Sequence, residues 1–152
     1  MTKYTFVFLF FIFFIASKSF AQDRGLGLGV KIGEPTGITL KYWTSEVNAV
    51  DFSLGYSLIN DRREIYLSCD YLYHIEDIIR SHERLPLYYG FGARFLSKEN
   101  QNSSLGVRGV GGVAWFSRDL PVDVFFELAP VFKLFPSTSL DFEAGFGARY
   151  FF

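Results

Sequence analysis

The side chains able to do covalent chemistry are few. Ser68, Asp70 and His74 sit close together and supply the types of a nucleophile, an acid and a base. On an extended strand, however, residues rise ~3.3 Å each, so Ser68 and His74 stand ~20 Å apart and cannot hydrogen-bond. A hydrolase or acyltransferase would need partners from other strands, and no motif supplies them. His74 and His82 with Asp77 and Glu83 offer imidazole and carboxylate ligands. Their spacing matches no standard metal set, and a polar connection accounts for them. Gly25, Gly27, Gly29 and Gly33, and later Gly106, Gly109, Gly111 and Gly112, have the composition of phosphate loops. A dinucleotide site needs a helix opening directly after its glycines, whereas Glu34-Pro35-Thr36-Gly37 turns into another apolar alternation. Cys69 falls among apolar neighbours and reads as a small hydrophobe. It is the only cysteine, so no internal disulfide forms. No catalytic, cofactor-binding or metal-binding residue is expected, and the chain is expected not to be an enzyme.

Charge is the chemistry present in quantity. Lys31, Lys41, Arg94, Arg108, Lys133 and Arg149 alternate with apolar residues, and so do Asp51, Asp70, Asp123, Glu127, Asp141 and Glu143. Gly27, Gly29, Gly55, Gly90, Gly92, Gly106, Gly112, Gly145 and Gly147 share their parity. The opposite parity carries Leu26, Leu28, Val30, Ile32, Ile38, Leu40, Phe52, Leu54, Ile65, Leu67, Phe91, Phe95, Val107, Phe126 and Leu128, with Tyr and Trp near strand ends. Side chains alternate faces along a strand, so each strand has one charged, glycine-rich face and one apolar face.

Eight such strands are expected, at about 25–33, 38–44, 49–58, 64–74, 86–96, 105–116, 122–133 and 139–152. Turn residues such as Asn60-Asp61-Arg62-Arg63 and Pro136-Ser137-Thr138 separate them. The longer stretch 75–85 has room for a short helix or a strand extension. A soluble barrel would put the apolar face inside and solvate the charges. A solvated face, though, has no need of small residues, whereas a narrow lumen does. The fold class expected is all-β: an eight-stranded antiparallel transmembrane up-and-down barrel with charges inside, apolar residues outside and aromatic girdles at both rims. Eight strands leave an interior just wide enough to be filled by side chains, so the twelve charged residues are expected to pair as a lumen network that plugs the barrel. In the last hairpin, Asp123 is expected opposite or one pair away from Arg149, and Lys133 near Asp141.

The two ends agree with export to a membrane. Lys3 precedes the apolar run Phe6 to Ala16, and Ser19-Phe20-Ala21 has small residues where a signal peptidase reads. The run is shorter than the ~20 residues of a spanning helix. A signal peptide over 1–21 is expected, followed by a barrel domain over 22–152. Loss of Lys3 and Lys18 leaves 13 basic against 16 acidic groups, which excludes a basic nucleic-acid footprint. The chain stops on Phe152 after an alternating strand, a pattern resembling the signal by which outer-membrane barrels are recognised for insertion.

Gly33-Glu34-Pro35-Thr36-Gly37-Ile38, Lys41-Tyr42-Trp43, Asn48-Ala49-Val50-Asp51, Leu85-Pro86-Leu87-Tyr88-Tyr89-Gly90, Leu105-Gly106-Val107-Arg108-Gly109 and Glu127-Leu128-Ala129-Pro130 together resemble a family of small outer-membrane barrels of unassigned function best known from spirochaetes. The resemblance implies an eight-stranded outer-membrane barrel with no catalytic residues. Its implied partners are outer-membrane lipids, the barrel-insertion machinery and an unidentified envelope or extracellular protein; nucleic acid and cofactors have no place. The expected role is structural or surface-interacting. The alternatives are a small-lipid-binding barrel, in the outer membrane or the periplasm, and third a lipid A-modifying enzyme. With both termini periplasmic, the outward connections are 34–37, 59–63, 97–104 and 134–138, and the longest connection, 75–85, is periplasmic.

Overall fold

The computed structural model describes residues 25–57, 64–79, 82–99 and 101–152; the expected signal peptide lies outside them. Eight strands follow one another as β1 (Leu26–Glu34), β2 (Gly37–Trp43), β3 (Asn48–Ser57), β4 (Glu64–Ile75), β5 (Leu87–Lys98), β6 (Ser104–Phe116), β7 (Val122–Phe135) and β8 (Ser139–Phe151). Each pairs antiparallel with its sequence neighbours, and β8 pairs with β1, so the sheet closes into a barrel. Closure leaves no long unpaired edge, which is how an isolated sheet satisfies its backbone.

The register fixes the tilt. From Gly27, the paired residues run through Lys41, Asp51, Asp70, Gly92, Arg108, Val131 and Asp141. The β8–β1 register then continues from Asp141 to the level of residue 37, ten positions beyond Gly27. For eight strands that stagger means strands inclined by ~35–45° to the axis. Two irregularities interrupt the wall, and the first is a register shift between Leu105 and Gly106 of β6. The β6–β7 pairing passes over Gly109 and Val110, opposite Pro130, which has no N–H to give a ladder.

The faces divide as alternation requires. Leu28, Val30, Ile32, Ile38, Phe52, Leu54, Ile65, Leu67, Phe91, Val107, Phe126, Leu128 and Phe146 are exposed on the outer wall, as is Cys69. Lys31, Lys41, Asp51, Asp70, Arg94, Arg108, Asp123, Glu127, Glu143 and Arg149 are buried inside. Aromatic rings stand at both rims as expected, but their types are divided between them. Outward Tyr42, Tyr71, Tyr73, Tyr89, Trp115 and Tyr150 lie toward the rim that carries the chain termini, and Tyr56 alone of the outward Tyr and Trp lies toward the other. At that second rim the exposed phenylalanine rings are Phe95, Phe132, Phe135 and Phe142.

The connection after β4 contains neither a helix nor a regular strand among its described residues. It folds back on itself: Arg84 pairs with Glu76 at 2.5 Å, stacks its guanidinium over Phe116 at 4.8 Å and bridges to Phe116 by backbone.

Candidate functional site

The lumen is built by a size rule. Nearly every long inward side chain faces an inward glycine on a neighbouring strand. Lys41 pairs with Gly27 and Arg149 with Gly29. Arg108 pairs with Gly92, Arg94 with Gly106, and Glu127 with both Gly112 and Gly145. A Cβ added at Gly145 would meet Lys31 Cδ at 2.8 Å, and one at Gly147 would meet the Phe125 ring at 2.6 Å. The glycines make room for charge in a barrel too narrow for two long side chains at one level.

The charges form two connected groups. Toward the termini, Arg149 on β8 donates from Nε to Asp123 at 3.0 Å and from Nη1 to Asp51 on β3, across the lumen. Lys41 lies 3.9 Å from Asp123, and Thr39 donates to Asp51 at 2.9 Å. Toward the other rim, Arg108 reaches Asp70 at 3.3 Å, Glu127 at 3.4 Å and Glu143 at 3.1 Å. Lys31 meets Glu127 at 3.0 Å and Arg94 meets Glu143 at 2.9 Å. The Tyr66 hydroxyl donates to Glu143 at 2.7 Å and accepts from Arg108. Lys133 and Asp141 stand 3.5 Å apart at the rim, both partly exposed, and Arg94 also reaches Asp141 at 3.1 Å. All twelve charged residues therefore take part in ion pairs, ten of them buried.

An aromatic layer closes the terminal end, and the sequence reading did not single it out. Trp43, His74, Tyr88, Phe116, Phe125 and Phe151 are buried inside the wall. The Trp43 and His74 rings are 4.4 Å apart, His74 and Tyr88 5.3 Å, and Phe116 and Phe151 6.4 Å. Lys41 Nζ sits 4.5 Å from the Trp43 ring centre and 5.7 Å from that of Phe116, and Arg149 stacks on Phe125 at 3.9 Å. Cations over ring faces are held by the ring quadrupole, strongly so when desolvated. The signal was available: Trp43 shares the parity of Lys41, Tyr88 that of Arg94, Phe125 that of Asp123 and Phe151 that of Arg149.

The Ser/Asp/His set does not assemble. Ser68 pairs with Ser53 and Arg94 in the ladders, Asp70 lies against Arg108, and His74 lies at the terminal end against Lys41. Lys41 Nζ donates to His74 Nε2 at 2.7 Å, which leaves the Nδ1–H to donate to the Val47 carbonyl at 3.1 Å. Of the metal candidates, His74 stands apart from the other three. His82, Asp77 and Glu83 line an open cleft of about 760 Å³ outside the lumen, together with Glu76, Arg84 and Arg118. Among the described residues no three His, Cys, Asp or Glu side chains cluster as a metal site.

No protein-family model and no curated protein matches this chain. Among solved structures it is similar to the N-terminal β-barrel domain of Pseudomonas aeruginosa OprF, at 13% identity and a TM-score of 0.56, covering 84% of this chain and 95% of that one. Neisserial surface protein A is also similar, at 14% identity and a TM-score of 0.49, covering 84% of this chain and 94% of that one. The likeness to the first shows the fold: a closed, all-antiparallel eight-stranded barrel like those of Gram-negative outer-membrane proteins.

Proposed function

We propose that this chain is a non-enzymatic outer-membrane barrel with a structural or surface-interaction role, its lumen plugged by ion pairs. One observation carries the reading: the barrel is inside-out. Buried charges fill its interior while large hydrophobics cover its outer wall. Water would penalise that outer wall, and a bilayer would solvate it. Residues 1–21 serve as the signal that exports the barrel domain 22–152, and Phe152 contributes to recognition by the insertion machinery. The spirochaete-type family assignment rests on the sequence segments alone.

The ion pairs of β8 with β3 and β5, and of β1 with β7, support the plug. Planar-bilayer recordings of the folded protein should show no large, steady conductance; a steady open level would refute the plug. Folded in detergent, the protein should be β-rich and migrate differently in SDS gels with and without boiling. A monodisperse protein that stays soluble without detergent would refute the membrane reading. Mass spectrometry of the exported protein should find a chain beginning at Gln22.

A further inference from the structure

We propose that the outer wall beside the 75–85 connection binds a phospholipid whose headgroup carries a primary amine, with an acyl chain in a groove over Gly111 and the headgroup in the cleft lined by Asp77 and Arg118. This rests on the apolar wall standing in a bilayer.

The groove follows from a missing side chain. On the outer parity of β6, Gly111 is paired with Tyr89 of β5 and with Leu128 of β7. Both neighbours carry large, exposed side chains. A Cβ added at Gly111 would meet nothing within 4 Å, so the wall is dented there. Ile78 of the connection, with Leu87, Val113, Phe126 and Leu128, walls the dent into a groove of about 420 Å³. Gly109, the preceding outward residue, is nearly as open: a Cβ there would meet only Pro130, at 3.7 Å. A concave apolar strip facing the bilayer suits a flexible acyl chain, which gains dispersion contacts there that a flat wall does not give.

The groove leads into the charged cleft. Ile78 lines the groove while its neighbours Asp77 and Ile79 line the cleft, and Leu87 lines the groove while Leu85 lines the cleft. Trp115, the next outward residue of β6 after Val113, donates its Nε1–H to Glu83 of the cleft at 3.3 Å. A tryptophan so placed marks the boundary between hydrocarbon and water. One surface therefore runs from apolar wall to charged rim, which is the shape of an amphiphile.

The charges choose the headgroup. Glu76 is already taken by Arg84. Asp77 and Arg118 line the same cleft and are both exposed, and neither makes an ion pair among the described residues. Arg118 offers a forked donor to a phosphate, and Asp77 offers an acceptor to an ammonium. A headgroup with both charges satisfies the two, whereas an anionic headgroup leaves Asp77 unpaired. A primary ammonium has N–H groups to give a carboxylate; a quaternary ammonium has none and is recognised by aromatic rings instead. The described lining of the cleft contains no Phe, Tyr or Trp.

The test uses the folded Trp43→Phe protein, whose remaining tryptophan is Trp115. It is placed in phosphatidylcholine vesicles holding a minor fraction of one lipid brominated on its acyl chains: phosphatidylethanolamine, phosphatidylglycerol or phosphatidylcholine. Brominated phosphatidylethanolamine should quench Trp115 as though enriched roughly two- to fivefold over the other two, the preference that exposed ion pairs supply. Gly111→Leu fills the groove where a Cβ meets nothing and should abolish the preference, while Val30→Leu on β1 should leave it unchanged. Asp77→Asn keeps a residue that tolerates the φ of 67° at that position and should bring phosphatidylethanolamine down to the level of phosphatidylcholine. Equal quenching by the three lipids overturns the proposal, and stronger quenching by phosphatidylglycerol overturns it in favour of an anionic lipid. A preference that survives Gly111→Leu overturns it as well. Quenching by all three that falls as protein density rises puts a second copy on the groove and also overturns it. Should Gly111→Leu fail to become heat-modifiable, Asp77→Asn still decides. Equal quenching fails this inference alone, whereas a Trp115 that no brominated lipid quenches fails the membrane reading with it.

Discussion

The two ends of the lumen hold the same chemistry under different conditions. At the terminal end, Lys41 and Asp123 are both 0% exposed and lie beneath a lid of Trp43, Tyr88, Phe116 and Phe151. At the other end, the pairing network runs out through Asp141 and Lys133 to the rim, where both side chains meet solvent. Desolvation is what separates them. A buried charge that loses its partner stays in a poor medium, while an exposed one is taken up by water. The dry end therefore depends on complete pairing, and the wet end tolerates its loss. The two ends also differ in how rigidly their glycines are enclosed.

The largest effect is expected from Arg149→Ala. It strands Asp51 and Asp123 together under the aromatic lid and should lower unfolding stability in detergent by ~3–5 kcal/mol. Denaturant titration followed by tryptophan emission measures it. Gly147→Ala comes next. The new Cβ would meet the Val30 carbonyl at 2.3 Å and the Phe125 ring at 2.6 Å, neither of which can swing away, so overpacking should cost ~1–3 kcal/mol. Gly145→Ala meets only side chains, the flexible Lys31 chain first at 2.8 Å, and should cost clearly less. A reversed order of these two glycine variants would show that rigid enclosure by backbone and ring does not set the cost.

A double-mutant cycle sharpens it. Asp123→Ala and Arg149→Ala together should cost less than their sum, by ~0.5–3 kcal/mol, because the two side chains share one interaction. Strict additivity would mean that the observed Asp123↔Arg149 register carries no coupling. The smallest effect belongs to Lys133→Ala. Its partly exposed pair with Asp141 should be worth ~0–1 kcal/mol and should weaken further with salt. A loss as large as that of Arg149→Ala would show that the rim is as dry as the terminal end.

Much of this was legible in the alternation. Each strand expected from the sequence lies within two residues of its observed bounds at both ends. The partition into a charged, glycine-bearing face and an apolar face survives on all eight, because a one-residue slip would have exchanged the faces. The last hairpin was legible because Pro136-Ser137-Thr138 sets its register, so Asp123 faces Arg149. The aromatic lid was harder to see. An inward Phe and an outward Phe look alike unless parity is carried from the nearest charge, and aromatic residues near strand ends suggest a girdle by default. That default also left unread that Tyr and Trp gather at one rim and Phe at the other. The stretch 75–85 gave no period to read, since its shape comes from Arg84 reaching back to Glu76 and across to Phe116.

The central claim is that the apolar face meets lipid and the charged face does not, and the chain holds two tryptophans that report one face each. Trp43 is 5% exposed inside the lumen and Trp115 is 38% exposed on the outer wall. Trp43→Phe and Trp115→Phe each leave a single reporter, to be read in vesicles of brominated phosphatidylcholine and in water with iodide. Trp115 emission should be quenched strongly by the brominated lipid, and Trp43 emission should resist both quenchers. Quenching of Trp115 by iodide with no effect of the brominated lipid would place the apolar wall in water and contradict the inside-out barrel.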